Sequence, residues 1–130
     1  MTRKGLIEYW IKTSDKDFST MENLFKTKDY HWALFVGHLV VEKLLKAYYV
    51  KMISAESPFT HDLLQIADKA HLTLSEKQKD LLDLVTTFNI RTRYTDYKLE
   101  FYKKCTKEYT ETNIKKIREF RVWVKKKLAE

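Results

Sequence analysis

Turn-forming residues are scarce in this chain: Gly5, Gly37 and Pro58 are the only glycines and proline among 130 residues. Sandwiches and barrels of many short strands need a turn-former at most connections, whereas long helices need few. Apolar residues recur instead at three- and four-residue spacings, as in amphipathic helices. The sequence therefore predicts an all-α protein, an up-down antiparallel bundle of four long helices plus one short helix, in a single domain spanning residues 1–130.

The periodicity predicts five helices. Their expected ranges are about Leu6–Phe25, from near Asp29 to the Ser54–Pro58 linker, about Thr60–Ala70, from Ser75 to near Asn89–Arg93, and about Thr106–Leu128. Thr60 is the expected N-cap of the short helix, and Ser75 with Gln78 matches a capping box. The second helix is apolar around most of its circumference, which predicts a central place in the bundle. The stretch Arg91–Lys104 lacks a clean period and is predicted to be a loop or an irregular turn.

Several classes of protein are excluded by the residue usage. No stretch approaches ~18 uninterrupted apolar residues, so we expect no membrane span and no membrane partner. A lone cysteine, Cys105, permits no intrachain disulfide and is typical of the cytoplasm, where we expect the protein to be. The histidines lack metal-ligand spacing, and no glycine-rich phosphate loop is present, so neither a metal nor a cofactor is expected.

Positive charge is concentrated near the end of the chain. The net charge is +7, and residues 103–127 carry ten basic side chains against three acidic ones. The remainder of the chain is therefore close to neutral. A basic terminal helix attracts polyanions and can contact nucleic acid. A solvated helix face that aids solubility explains the same charges.

The most unusual stretch runs from Arg91 to Lys98. Guanidinium groups bind phosphate bidentately, and tyrosine rings offer stacking faces to bases. The alternative is a helix C-terminus, where the arginines satisfy the last carbonyls and the negative end of the helix dipole. The candidate ligand-binding residues are Arg91, Arg93, Tyr94, Asp96 and Tyr97.

Supporting residues are expected on the second and third helices. Glu42 and Lys46 form an i, i+4 pair in the favourable order, which suffices as a structural explanation. A buried Glu42 would instead need a partner, for which an arginine of the irregular stretch is a candidate. His61 and Asp62 complete the supporting set.

Four motifs occur in the order found in one known family. The motifs are Tyr30-x-x-Ala33 with Glu42-Lys43-x-x-Lys46-Ala47, Thr60-His61-Asp62-Leu63, Arg91-Thr92-Arg93-Tyr94-x-Asp96, and a basic last helix that contains tryptophan. With these motifs the chain resembles the higher eukaryotes and prokaryotes nucleotide-binding (HEPN) domain over roughly residues 5–128. The resemblance implies a helical bundle, commonly a homodimer, often encoded beside a minimal nucleotidyltransferase as its partner in a two-gene, toxin–antitoxin-like system.

Some members of that family are toxins that cut RNA without a metal, using an arginine, then four to six residues, then a histidine. Here the positions at that spacing from Arg91 and Arg93 are occupied by other residues, in the stretch 96–100. No catalytic residue is therefore assigned, and Thr95 stands where the family usually has proline.

The resemblance favours a non-catalytic protein that binds a nucleotide or RNA. The alternatives are a ribonuclease in which Tyr97 or His61 replaces the missing histidine, and a dimeric protein-interaction module. A structural role for His61 within the bundle is the other interpretation of that residue.

Overall fold

A computed structural model describes residues 1–130, apart from the side chain of Thr95, and its described backbone forms six α-helices without strands. The helices are α1 (Arg3–Lys26), α2 (Tyr30–Met52), α3 (Leu63–Lys69), α4 (Glu76–Arg93), α5 (Thr95–Lys104) and α6 (Lys107–Ala129). The predicted all-α bundle is confirmed. Within the described part of the chain, no helix is long and apolar enough to cross a membrane.

Helix α2 is the centre of the bundle, as its broad apolar surface predicts, and it packs against each of the other five helices. Twelve of its residues are buried, and it packs most extensively against α1 and α6. The closest approach is at Gly37, where a Cβ atom would lie 2.8 Å from Ile117 Cδ1 and 3.2 Å from Met21 Sδ. A glycine is needed here because three helices meet at this level.

Four of the six helices, α1, α3, α4 and α6, begin at a residue whose side chain caps the helix. The capping box at Ser75 and Gln78 is present as predicted, and Thr106 caps α6 through the Tyr109 amide. The predicted cap of α3 was wrong. Asp62, rather than Thr60, caps that helix, because the Thr60 hydroxyl accepts from the Asp62 amide and ends the preceding turn.

The predicted loop at Arg91–Lys104 was also wrong, because most of it is helical. Only Tyr94 is extended, and it separates α4 from the ten-residue helix α5. Phe101 is fully buried against Phe88 with ring centroids 5.6 Å apart, and Cys105 is buried at the end of α5. With so few residues turned inward, α5 leaves no apolar periodicity that could be recognised in the sequence.

Candidate functional site

A buried carboxylate on α2 is the centre of the most polar part of the bundle. The side chain of Glu42 is only 7% exposed, and each of its oxygens has a partner. Oε1 lies 2.7 Å from His61 Nδ1, and Oε2 lies 3.2 Å from Lys46 Nζ. Burial of a carboxylate is costly unless charges and donors compensate it, and these two partners do so. The predicted Glu42–Lys46 pair is therefore present, but the additional partner is His61 and not an arginine.

His61 is held in place by the turn that leads into α3. The Asp62 carboxylate caps that helix, and the Leu63 amide donates to Thr86 Oγ1 on α4 over 3.1 Å. The carbonyl of His61 accepts a hydrogen bond of 2.9 Å from His38 Nε2 on α2. The residue is thus fixed by its backbone and its Nδ1 atom, while 60% of its side chain remains exposed.

His38 is an uncharged histidine beneath this cluster. Because a carbonyl can only accept, Nε2 must carry the proton that it donates to His61. Burial lowers the pKa of His38 and outweighs the opposing effects of the hydrogen bond to the His61 carbonyl and of the Glu42 charge, and the positive charge of Arg93 lowers it slightly further. The ring is fully buried, and its Nδ1 atom has no hydrogen-bond partner among the described atoms.

Arg93 projects from the last turn of α4 and is held by an amide. Asn89, one turn earlier and buried, accepts from Arg93 Nε over 2.9 Å and from Nη2 over 2.5 Å through its Oδ1 atom. No carboxylate in the described part of the structure forms an ion pair with Arg93, whereas Arg118 and Arg121 each have one. The guanidinium therefore has a fixed position without a neutralising charge.

The two candidate arginines lie on different sides of α4. Residues two apart on a helix point about 200° away from each other. Arg91 accordingly lies over the Phe101 ring, 5.2 Å from its centroid, near Cys105 and Tyr109. Burial raises the pKa of the Cys105 thiol to about 12 despite the nearby cations, so this cysteine is not a reactive thiolate.

The other candidate residues surround the α4–α5 junction. The Tyr94 ring is half exposed and lies 5.4 Å from the Arg93 guanidinium carbon. Asp96 is in the first turn of α5, and Tyr97 is half exposed. Among the described side chains, neither of these two is hydrogen-bonded to Arg93 or to Glu42. The structure therefore brings together Arg93 and Tyr94 on one side, and Glu42, Lys46 and His61 on the other, with His38 between them.

His38 and Asn89 are the site residues that the sequence did not identify. Both stand four residues before a candidate, at His38–Glu42 and Asn89–Arg93, which is the spacing of side chains on one helix face. This four-residue spacing is the sequence feature that could have identified His38 and Asn89 as neighbours of the candidate residues. The contact between His61 and Glu42 joins residues 19 apart through a tertiary turn, which spacing does not indicate.

The basic terminal helix is partly paired with α1. Arg121 and Lys125 both contact the carboxylate of Asp15, at 3.0 and 2.8 Å, and Arg118 contacts Glu22 at 3.2 Å. Burial would raise the pKa of Asp15, but the hydrogen bonds from the two cations outweigh it and hold that pKa below its usual value. Part of the positive charge of α6 therefore forms ion pairs that hold α6 against α1.

These features define the class of protein as a helical bundle with a hydrogen-bonded, cationic site where α2, α4 and the turn before α3 meet. The chain belongs to the HEPN domain family, whose model matches residues 7–127. The resemblance inferred from the four motifs is thereby confirmed.

The fold is similar to that in the crystal structure of TT1696 from Thermus thermophilus. The TM-score is 0.80 at 16% sequence identity, and the match covers 93% of this chain and 97% of that chain. At this identity the likeness concerns the fold alone. Comparison with curated proteins gives no match.

Proposed function

We propose that this protein binds a phosphate-bearing ligand, a nucleotide or RNA, at Arg93. The observation that carries the proposal is the fixed guanidinium held by Asn89 with no carboxylate in ion-pair distance among the described residues. A carboxylate in place of the amide would cancel the charge. An amide orients the fork of donors and leaves the charge available for an anion.

Neighbouring groups support a nucleotide rather than a simple anion. The half-exposed ring of Tyr94 lies beside the guanidinium and offers a face on which a base can stack. Lys46 adds less to anion binding, because Glu42 neutralises it within the bundle. The unpaired cations of α6 act as a long-range electrostatic guide for the polyanion.

The test is a thermal-shift titration with ATP and with short RNAs, because a ligand that binds the native state raises the melting temperature. Wild type is compared with Arg93→Ala, and Arg118→Ala serves as a control that removes an exposed arginine of α6. We expect a concentration-dependent rise for wild type and the control, and none for Arg93→Ala. Equal rises for all three proteins would exclude Arg93 as the binding residue.

A second candidate function is ribonuclease activity without a metal. It is favoured by His61, whose Nδ1 is oriented by the buried Glu42 carboxylate while most of the side chain faces solvent. A carboxylate that fixes one ring nitrogen leaves the other available for proton transfer. His61 would then move the proton of the attacking 2′-hydroxyl, and Arg93 would stabilise charge on the phosphate.

RNA cleavage by wild type should then disappear in His61→Ala, while His71→Ala, which changes another exposed histidine, should retain it. Cleavage that persists in His61→Ala would exclude this role.

The interaction-module alternative makes a different prediction. If Arg93 serves a homodimer or contact with a nucleotidyltransferase subunit, Arg93→Ala should reduce association, measured by light scattering, without changing ligand affinity.

A further inference from the structure

A cluster of aromatic rings on the surface lies apart from Arg93. It comprises His31, Trp32 and Phe35 at the start of α2, with Lys98 and Tyr102 of α5, and is called the aromatic patch below. Ring centroids are 5.3 Å apart for His31 and Trp32, 5.2 Å for His31 and Tyr102, and 5.9 Å for Trp32 and Phe35. The interplanar angles of these pairs are 43°, 74° and 90°, so the rings form one tilted, edge-to-face cluster across two helices.

The outer members of the patch are open to solvent. Trp32 is 39% exposed and Tyr102 61% exposed, although both have large apolar faces. Lys98 Nζ lies 5.7 Å from the centroid of the Trp32 ring, so a cation stands directly over the aromatic surface. Contiguous exposed rings of this kind are uncommon on soluble proteins unless they bind something.

The charge and ring chemistry of the patch favour nucleic acid over a protein partner. Burial lowers the pKa of His31, and nearby Lys98 lowers it further against the opposing effect of Asp29, so the ring is a neutral aromatic. The Asp29 carboxylate is engaged by the Thr27 hydroxyl at 2.5 Å. The cation of the patch, Lys98, suits a phosphate, while the rings suit bases, a combination typical of single-strand binding surfaces.

The patch and the buried Glu42 cluster, which Arg93 of α4 adjoins through its proximity to His38, lie along the same side of α2. His31, Phe35, His38 and Glu42 are spaced by four, three and four residues, which keeps them on the same side of the helix. His31 and His38 are seven residues apart, or about 10 Å along the axis. A rise of ~3.4 Å per stacked nucleotide makes this axial separation from the patch to the level of His38 comparable to roughly three nucleotides.

We propose that the aromatic patch is a stacking platform for the bases of a single-stranded nucleic acid whose phosphate binds at Arg93. This inference rests on the proposed function and extends it from a nucleotide to an oligonucleotide of several residues. Stacking on exposed rings is tolerant of sequence, so the platform takes bases of any identity.

The experiment measures binding of three probes by fluorescence anisotropy or calorimetry: a uridine hexanucleotide, a thymidine deoxyhexanucleotide and ATP. The variants are Trp32→Leu and Tyr102→Leu, which keep an apolar side chain but remove the ring, and Phe59→Leu is the matched control in an exposed loop. We expect each patch variant to bind the hexanucleotides roughly tenfold more weakly, with ATP binding and the control unchanged.

The outcomes separate the two proposals. Loss of ATP and hexanucleotide binding in Arg93→Ala, with no effect of Trp32→Leu or Tyr102→Leu, would overturn the platform and leave the Arg93 site in place. Weaker hexanucleotide binding in the patch variants, with no effect of Arg93→Ala, would support stacking on the patch but overturn the placement of the phosphate at Arg93. Loss of a wild-type dimer in the patch variants, with unchanged hexanucleotide affinity, would overturn the platform and show that a second copy of the chain covers the patch. A difference between the ribose and deoxyribose probes decides between RNA and DNA.

Discussion

The imidazole of His61 reaches from the turn before α3 to the buried carboxylate of Glu42, with 2.7 Å between Nδ1 and Oε1. Glu42 also binds Lys46, so one carboxylate connects two cationic or hydrogen-donating groups within the bundle. The Glu42 carboxylate is therefore part of the folded core, and we expect changes to it to affect stability as well as the proposed ligand binding.

Replacement of Glu42 should be strongly destabilising. Glu42→Ala leaves Lys46, 13% exposed, without its partner, and removal of one member of a buried ion pair costs about 3 kcal/mol or more. The free energy of unfolding is measured by urea denaturation. Glu76→Ala is the control, because that glutamate is 87% exposed, and it should change stability by less than about 0.5 kcal/mol. Equal effects of the two changes would show that Lys46 and His61 do not compensate the cost of burying the Glu42 carboxylate.

Neutralising Arg93 without removing it should weaken ligand binding. Asn89→Asp places a carboxylate against the guanidinium while preserving the size of the side chain, so the two charges cancel. We expect an affinity for ATP or RNA about tenfold lower than in wild type, which corresponds to ~1.4 kcal/mol. Isothermal titration calorimetry measures it, with Asn23→Asp as a control for the added negative charge on an exposed helix face. Unchanged affinity in Asn89→Asp would contradict binding at Arg93.

Stability should fall in mild acid because of His38. Its pKa is lowered in the folded state, so the unfolded chain binds the proton more readily. The contribution of neutral His38 is therefore fully present above pH ~6.5 and is lost as the pH falls from there through the folded-state pKa. Melting temperatures across this range should drop less in His38→Gln, which does not titrate but retains an N–H donor. His71→Gln changes an exposed histidine and should follow the wild-type curve; if His38→Gln does the same, His38 is not the source of the loss.

The extent to which the sequence predicts this structure depends on how each element is stabilised. Helices α1, α2, α4 and α6 have long apolar periods, and their ranges follow from those periods within a few residues. Helix α5 is anchored by Phe101 with the buried Cys105 at its end, so it has no period to detect. The same limit applies to the site: contacts within one helix follow from spacing, but the His61–Glu42 contact depends on tertiary placement of the turn before α3.

The contact between helices at Gly37 gives a prediction in which two changes compensate. Gly37→Ala places a methyl group 2.8 Å from Ile117 Cδ1, and such overpacking costs about 1–3 kcal/mol. Alanine also favours the helix by roughly 0.5–1 kcal/mol relative to glycine, so the net loss should be about 1 kcal/mol. Ile117→Val removes the Cδ1 atom that the new methyl group would meet. Gly37→Ala introduced into Ile117→Val should therefore be neutral or slightly stabilising, measured by urea denaturation of the four proteins of the cycle. An equal cost of Gly37→Ala in both backgrounds would show that Ile117 does not restrict position 37.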